Sequence, residues 1–247
     1  TLRGVHILKK GTPWIYFASL INGIRTLLFF TGFILTGISN GIVVLYTWPI
    51  MVTAMGILFL KESYTKLSLS LLGLAFIGMC IVQSQIPFSL ESRDFLGMAC
   101  LILASFGTAI TVIIFKKHGN DYTSYEVVFF QNAVGALLFL PLFIWRYHAL
   151  TVLQWSSTVS YCLVVGILGY ALFFSGLKKM PSSLASALSY FEIVSAVIMA
   201  HFVLHEPLSW QTFTGGSLIV ISSLMLHYSH SKMTKKETAL QEVLSER

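Results

Sequence analysis

The chain has 247 residues, of which 55% are hydrophobic and only 11% charged, with a mean hydropathy of +0.78 and a formal net charge of +6. A water-soluble surface is usually about a quarter to a third charged. The composition therefore argues against a soluble enzyme, a nucleic-acid-binding protein and a disordered chain.

Eight apolar runs approach the length needed to cross a bilayer as helices, about 20 residues at 1.5 Å each. They are Trp14–Leu35, Asn40–Leu60, Leu67–Gln85, Phe95–Phe115, Ser124–Trp145, Ser157–Leu177, Ser183–Leu204 and Thr212–Tyr228. Turn residues separate them: Gly37 with Asn40, Pro87, Gly119-Asn120-Asp121, Pro181 and Pro207. The runs lack the polar–apolar alternation of barrel strands. The expected fold class is thus an all-α polytopic membrane protein. Cys80, Cys100 and Cys162 all lie inside apolar runs, as small buried hydrophobes rather than a disulfide framework. The tail after Ser231 is polar and reads as a short solvated helix or as disorder.

Orientation follows from Lys and Arg. If the chain start is cytoplasmic, thirteen bases fall on the cytoplasmic side: Arg3, Lys9, Lys10, Lys61, Lys66, Lys116, Lys117, Lys178, Lys179, Lys232, Lys235, Lys236 and Arg247. Two, Arg93 and Arg146, fall on the other. That split predicts cytoplasmic ends for this chain, on the positive-inside rule.

The chain also repeats itself. Phe29-Phe30-Thr31-Gly32 recurs as Phe173-Phe174-Ser175-Gly176, 144 positions later. At that offset Ser39 matches Ser183, Tyr46 matches Tyr190, Met55 matches Met199 and Glu62 matches Glu206. The first three helices thus correspond to the last three, and the fourth and fifth have no counterpart upstream. The reading is one five-helix unit used twice, inverted in the membrane, with its first copy truncated. Residues 1–85 form the first repeat (three helices), 86–230 the second (five helices) and 231–247 a polar tail. A segment is expected to precede Thr1. Inverted repeats characterise many secondary transporters, with the site at mid-membrane between them.

This pattern resembles the drug/metabolite transporter superfamily, and within it the EamA-type permeases. The resemblance rests on Tyr46-Thr47-Trp48-Pro49, Leu60-Lys61-Glu62 and Gly73 in one copy. In the other it rests on Tyr190-Phe191-Glu192, Leu204-His205-Glu206-Pro207-Leu208 and Gly215-Gly216. It implies ten helices in two inverted halves, here without the first two, and transport of a small metabolite across a bacterial inner membrane. Ile193 departs from the pattern, standing where proline often follows the glutamate.

Arg25 and Glu192 each sit about midway along an apolar run, where a charge costs roughly 2.5–3.5 kcal/mol on insertion scales. Both have small or polar neighbours at helical spacing, Asn22 among them, so both are expected to face a cavity. One reading is substrate or proton binding; the other is a buried ion pair or hydrogen-bonded anchor that locks the bundle. Tyr46, Trp48, Tyr170 and Tyr190 add amphipathic rings near the same depth, and Thr108 a hydroxyl. Pro49 frees a carbonyl, which reads as a hinge, an exposed carbonyl or a static kink. Gly97, Cys100, Ala104, Gly107, Thr108 and Thr111 form one small-residue stripe, and Cys162, Gly166, Gly169 and Gly176 another. Each permits close packing or a cavity wall. Thr123-Ser124-Tyr125-Glu126 reads as a capping box, and Gln131 and Asn132 lie deeper in that helix. His201 and His205 have metal-compatible spacing but no evident third ligand.

No phosphate loop or nucleophile elbow is present, so neither an enzyme nor an ATP-driven pump is expected. The expected partners are a small-molecule substrate and the lipid bilayer, with no nucleic acid and no cofactor. A coupling proton and a homodimer are compatible with the reading. The alternative function is a non-transporting membrane scaffold of the same fold.

Overall fold

The computed structural model describes residues 11–84, 92–145, 151–205 and 209–245. Pro87, Arg146, Glu206, Pro207, Leu208 and the basic residues Arg3, Lys9, Lys10 and Arg247 lie outside the described residues.

The described chain is helical, with no strand among these residues. Seven helices are long and apolar enough to cross a membrane: Thr12–Thr36, Gly41–Leu60, Lys66–Gln83, Arg93–His118, Ser124–Trp145, Val152–Lys179 and Leu184–Val203. The chain is thus an all-α polytopic membrane protein. The eighth expected span, Thr212–Tyr228, falls inside α10 (Trp210–Ser245), which also carries the polar tail as helix. Its hydroxyls and paired glycines keep it less apolar than the others, but it packs along α3 (Lys66–Gln83) over most of that helix. A methyl group on Gly78 would stand 2.8 Å from the Gly215 carbonyl oxygen, so these glycines set the approach of the two backbones.

Helical backbone runs through α1 from Thr12 to Leu45, yet its contacts with α4 (Ser92–His118) reverse direction along the way. Gly11 meets His118, Arg25 meets Gly107 and Thr36 meets Gly97, an antiparallel order. Beyond the turn, Gly41 meets Leu101 and the Leu45 carbonyl accepts a hydrogen bond from the Ser105 hydroxyl at 2.8 Å, a parallel order. The chain reverses between Thr36 and Gly41, where the turn signal stands.

Two membrane helices are interrupted at matching places. The first breaks at Tyr46–Thr47 before α2 (Trp48–Met55) and the π-helical stretch Gly56–Leu60. The second breaks at Ser189–Tyr190, between α8 (Ser182–Leu188) and α9 (Phe191–Leu204). Both end in a left-handed residue, Lys61 with φ 54° and His205 with φ 55°. These are the two non-glycine positive-φ residues among those described, and they lie 144 positions apart. At the breaks the Tyr46 and Tyr190 rings stack at 6.0 Å, and the Tyr190 hydroxyl donates to the Tyr46 carbonyl at 3.0 Å.

Pro49 therefore sits in the first turn of α2 rather than inside a helix, a position where its missing N–H costs nothing. The carbonyl it would have bonded, that of Leu45, is neither exposed nor free, because Ser105 donates to it. The cysteines are free, but Cys162 is exposed rather than buried. Its stripe follows α6 (Val152–Tyr161), running from the π-helical stretch Cys162–Gly169 on to Gly176; Gly169 lines a cavity, while nothing approaches Gly166 within 4 Å of an added methyl.

Candidate functional site

A cavity of about 1060 Å³ lies between the two broken helices. At one end it is stopped by a buried core that includes Val112, Phe115, Tyr122, Val127, Phe130, Phe174 and Leu177. Lys116 and Lys117 close α4 at that end, and Lys178 and Lys179 close α7 (Tyr170–Lys179). Lys61 and Lys66 flank the start of α3 there too, so this is the basic end of the bundle. At the other end the cavity is lined by Gln83, the last residue of α3, by Tyr161 of α6 and by Thr212 near the start of α10. The mouth therefore faces away from the lysines.

Seven of the eight residues expected in a site line this cavity: Asn22, Arg25, Tyr46, Trp48, Thr108, Tyr170 and Glu192. Tyr190 does not. It is fully buried behind Tyr46, because the helix break turns its ring into the core.

Arg25 is half-buried on α1. Its Nε donates to Asn22 Oδ1 at 3.0 Å and its Nη1 to Thr108 Oγ1 at 3.4 Å. A guanidinium carries five N–H donors. Its remaining donors, including both of Nη2, have no protein acceptor among the described residues. Glu192 stands in the first turn of α9, where the positive end of the helix favours a carboxylate. It lines the cavity beside Tyr46 and is exposed to it. Among the described residues no ion pair within 4.0 Å joins Arg25 to Glu192. The ion pair of the locking reading is therefore not formed, whereas the bond from Arg25 to Thr108 of α4 is a contact of the kind that its other form, a hydrogen-bonded anchor, calls for.

The stripe on α4 divides by depth. Gly97 and Ala104 pack, and Gly107 accommodates the Arg25 stem, whose Cβ would stand 3.0 Å from an added methyl. Thr108 and Thr111 reach the cavity. Gln131 lines it as well, whereas Asn132 donates to the Gly166 carbonyl at 3.3 Å. Glu126 closes a capping box: Thr123 N–H donates to its Oε2 at 2.7 Å, and its own N–H donates to Thr123 Oγ1 at 3.2 Å. Gln83 and Tyr161 at the mouth were not expected. They stand near helix ends, and polarity near a helix end is the ordinary mark of a water interface rather than of a site.

A family model described as the EamA-like transporter family matches residues 95–228, more than half of the chain. The chain belongs to the EamA-like transporter family. Among curated relatives, an uncharacterized transporter of Bacillus subtilis, YetK, is 27% identical over 195 residues, which is 75% of this chain and 58% of YetK. This chain thus spans under two thirds of that relative's length. A pseudopaline exporter of Pseudomonas aeruginosa, CntI, is 23% identical over 90% of this chain and 78% of its own. A solved crystal structure superposes with a TM-score of 0.77 at 16% identity, covering 90% of this chain and 79% of that one, a likeness of fold. The EamA-type assignment from sequence thus stands; Thr108, Tyr170 and Glu192 of the cavity lie within the matched segment, and Asn22, Arg25, Tyr46 and Trp48 lie before it.

Proposed function

We propose that this chain forms the substrate path of a secondary transporter working by alternating access. It would move a small polar or amphipathic metabolite, such as an amino acid or related compound, across the cytoplasmic membrane. The observation that carries this reading is the pair of midspan charges, Arg25 and Glu192, which face one cavity without neutralising each other. A charge left unpaired at that depth is costly, and a ligand bearing the opposite charge would offset the cost. Membership of a transporter family supports transport as the activity. The exporter name of one relative leaves the substrate and direction for this chain to its own cavity.

The matched breaks, the matched left-handed ends and the contact between Tyr46 and Tyr190 support two inverted repeats related by an axis through that contact. The gathering of six lysines at one end supports a cytoplasmic placement of that end.

Uptake into proteoliposomes from a panel of labelled amino acids and related acids tests the proposal. Wild type is expected to accumulate at least one carboxylate-bearing solute. Arg25→Lys is expected to lower uptake about tenfold, because the planar fork that grips both carboxylate oxygens is lost while the charge stays. Absence of accumulation for every solute would favour the scaffold reading. Accumulation unaltered by Arg25→Lys would remove Arg25 from the site.

A further inference from the structure

The basic end of the cavity is held shut by a polar junction that no span pattern announces. Glu62 follows the first broken helix. Both its oxygens accept from the Ser182 N–H, at 3.2 and 3.0 Å, and its Oε2 also accepts from the Ser182 hydroxyl at 2.7 Å. Ser182 is the first residue of α8, so Glu62 caps the positive end of that helix from 120 positions away. The Tyr64 hydroxyl donates to the same carboxylate. Lys116, at the end of α4, lies 3.9 Å from Glu62 Oε1 and donates to the Leu177 carbonyl at 2.9 Å and to that of Met180. It thus closes the negative end of α7. Both charges are largely withdrawn from solvent, Lys116 with 17% and Glu62 with 16% of its side chain exposed. Two helix ends of opposite polarity, α7 and α8, are therefore tied to α4 and to the α2–α3 connection through one ion pair. The opposite end, at Gln83, Tyr161 and Thr212, forms the mouth of the cavity.

We infer that Glu62, with Lys116 and Ser182, is the gate strut of the basic end: it positions the closed state and must release α8 before the cavity can open there. This rests on the transport reading above. Glu62 is a positioning residue, since it touches no part of the cavity. The bonds that hold it are charge-assisted and wholly polar, so water can take the place of each partner when the junction opens, as a gate requires.

The test is a pair of distance measurements by electron–electron resonance on the full chain in nanodiscs, with Cys80, Cys100 and Cys162 replaced by alanine. One label pair, Ser63→Cys with Lys179→Cys, spans the junction; the other, Ser84→Cys with Ser157→Cys, spans the mouth, and all four positions are exposed. In wild type the junction pair is expected to be short and the mouth pair long. Glu62→Gln is expected to raise the ratio of open to closed junction about tenfold, the loss of one charged interaction, and to shorten the mouth pair in the same fraction of molecules. Ser182→Ala removes one hydroxyl bond and is expected to give about a twofold shift in the same sense at both ends. It keeps the test decisive if Glu62→Gln folds poorly. Opening at the junction with an unmoved mouth would make Glu62 a local clasp and overturn the gate. Unchanged distances in folded variants, when wild type populates both states, would overturn the gate alone. A single population at both ends in every variant, together with absent uptake, would overturn the transport reading as well.

Discussion

Thr12–Thr36 and its counterpart 144 residues on, within Val152–Lys179, share the Phe-Phe-Ser/Thr-Gly signature but live in different surroundings. The first is clasped between α4 and α5 (Ser124–Trp145), with 22% of its apolar window buried; the second has 11% buried, leans mainly on α5, and touches α4 at its basic end, where Phe174 packs on Phe115 and Lys116 reaches the Leu177 carbonyl. Gly32 shows what clasping means. A methyl group there would stand 2.5 Å from Leu101 Cγ and 3.0 Å from the Gly97 carbonyl oxygen. At Gly176 the nearest atom is Met180 Cε, at 3.7 Å. The same tetrapeptide marks a tight crossing in one place and a loose one in the other, because burial belongs to the partner helices and not to the motif. Among the described residues no helix stands against α6 as α4 stands against α1.

The sharpest way to break this comparison is to overpack both regions. Gly32→Leu drives a side chain into α4 and is expected to destabilise the folded bundle by about 3 kcal/mol, the upper range for overpacked cores. Gly166→Leu, on the open stripe, is expected to change stability by less than about 0.5 kcal/mol. Thermal unfolding of both variants in detergent checks this. Equal losses would mean that the α6 face is covered in the protein as it exists in the membrane.

The same contrast explains what the sequence makes legible. Span positions, the turn before Gly41, the helix cap at Glu126 and seven cavity residues follow from local pattern: apolar length, midspan charge, small neighbours at helical spacing. What does not follow depends on partners far along the chain. Glu62 stands in the sequence as a repeat match and a motif residue with no role assigned, until Ser182 and Lys116 are brought to it from 120 and 54 positions away. Tyr190 belongs to the right depth and the wrong side, because a helix break resets the face that periodicity assigns. The stripe from Cys162 to Gly176 reads as a packing face or a cavity wall; Gly169 does line the cavity, and periodicity carries no information on whether a partner covers the rest.

A middle-sized effect is expected where the first break is repaired. Ser105→Ala leaves the Leu45 carbonyl without its 2.8 Å donor in a buried place and is expected to cost about 1–2 kcal/mol. Restoring an N–H by Pro49→Ala in the same chain is expected to recover part of that loss, since the residue at 49 can then bond the carbonyl four residues back. No recovery in the double variant would mean that the break is set by the tyrosine pair rather than by the proline.

The smallest expected effect separates local from tertiary support at two helix starts. Thr151 and Gln154 form a capping box on α6, with Gln154 N–H donating to Thr151 Oγ1 at 3.3 Å and Thr151 N–H to Gln154 Oε1 at 2.9 Å. The box at Thr123 and Glu126 on α5 has the same chemistry. The helices behind them differ: α6 has no buried residue, whereas α5 buries Val127, Val128, Phe130 and Gln131 just past its cap. A lost threonine cap costs about 1 kcal/mol, close to a fivefold change in local opening. Thr151→Ala is therefore expected to speed amide exchange about fivefold across the first turns of α6, where nothing but the cap holds the end. Thr123→Ala is expected to leave exchange in the first turns of α5 nearly unchanged, because opening there must also expose packed side chains. Equal acceleration at both starts would show that packing beyond Val127 does not reach the cap, and would weaken the contrast on which the comparison of the two regions rests.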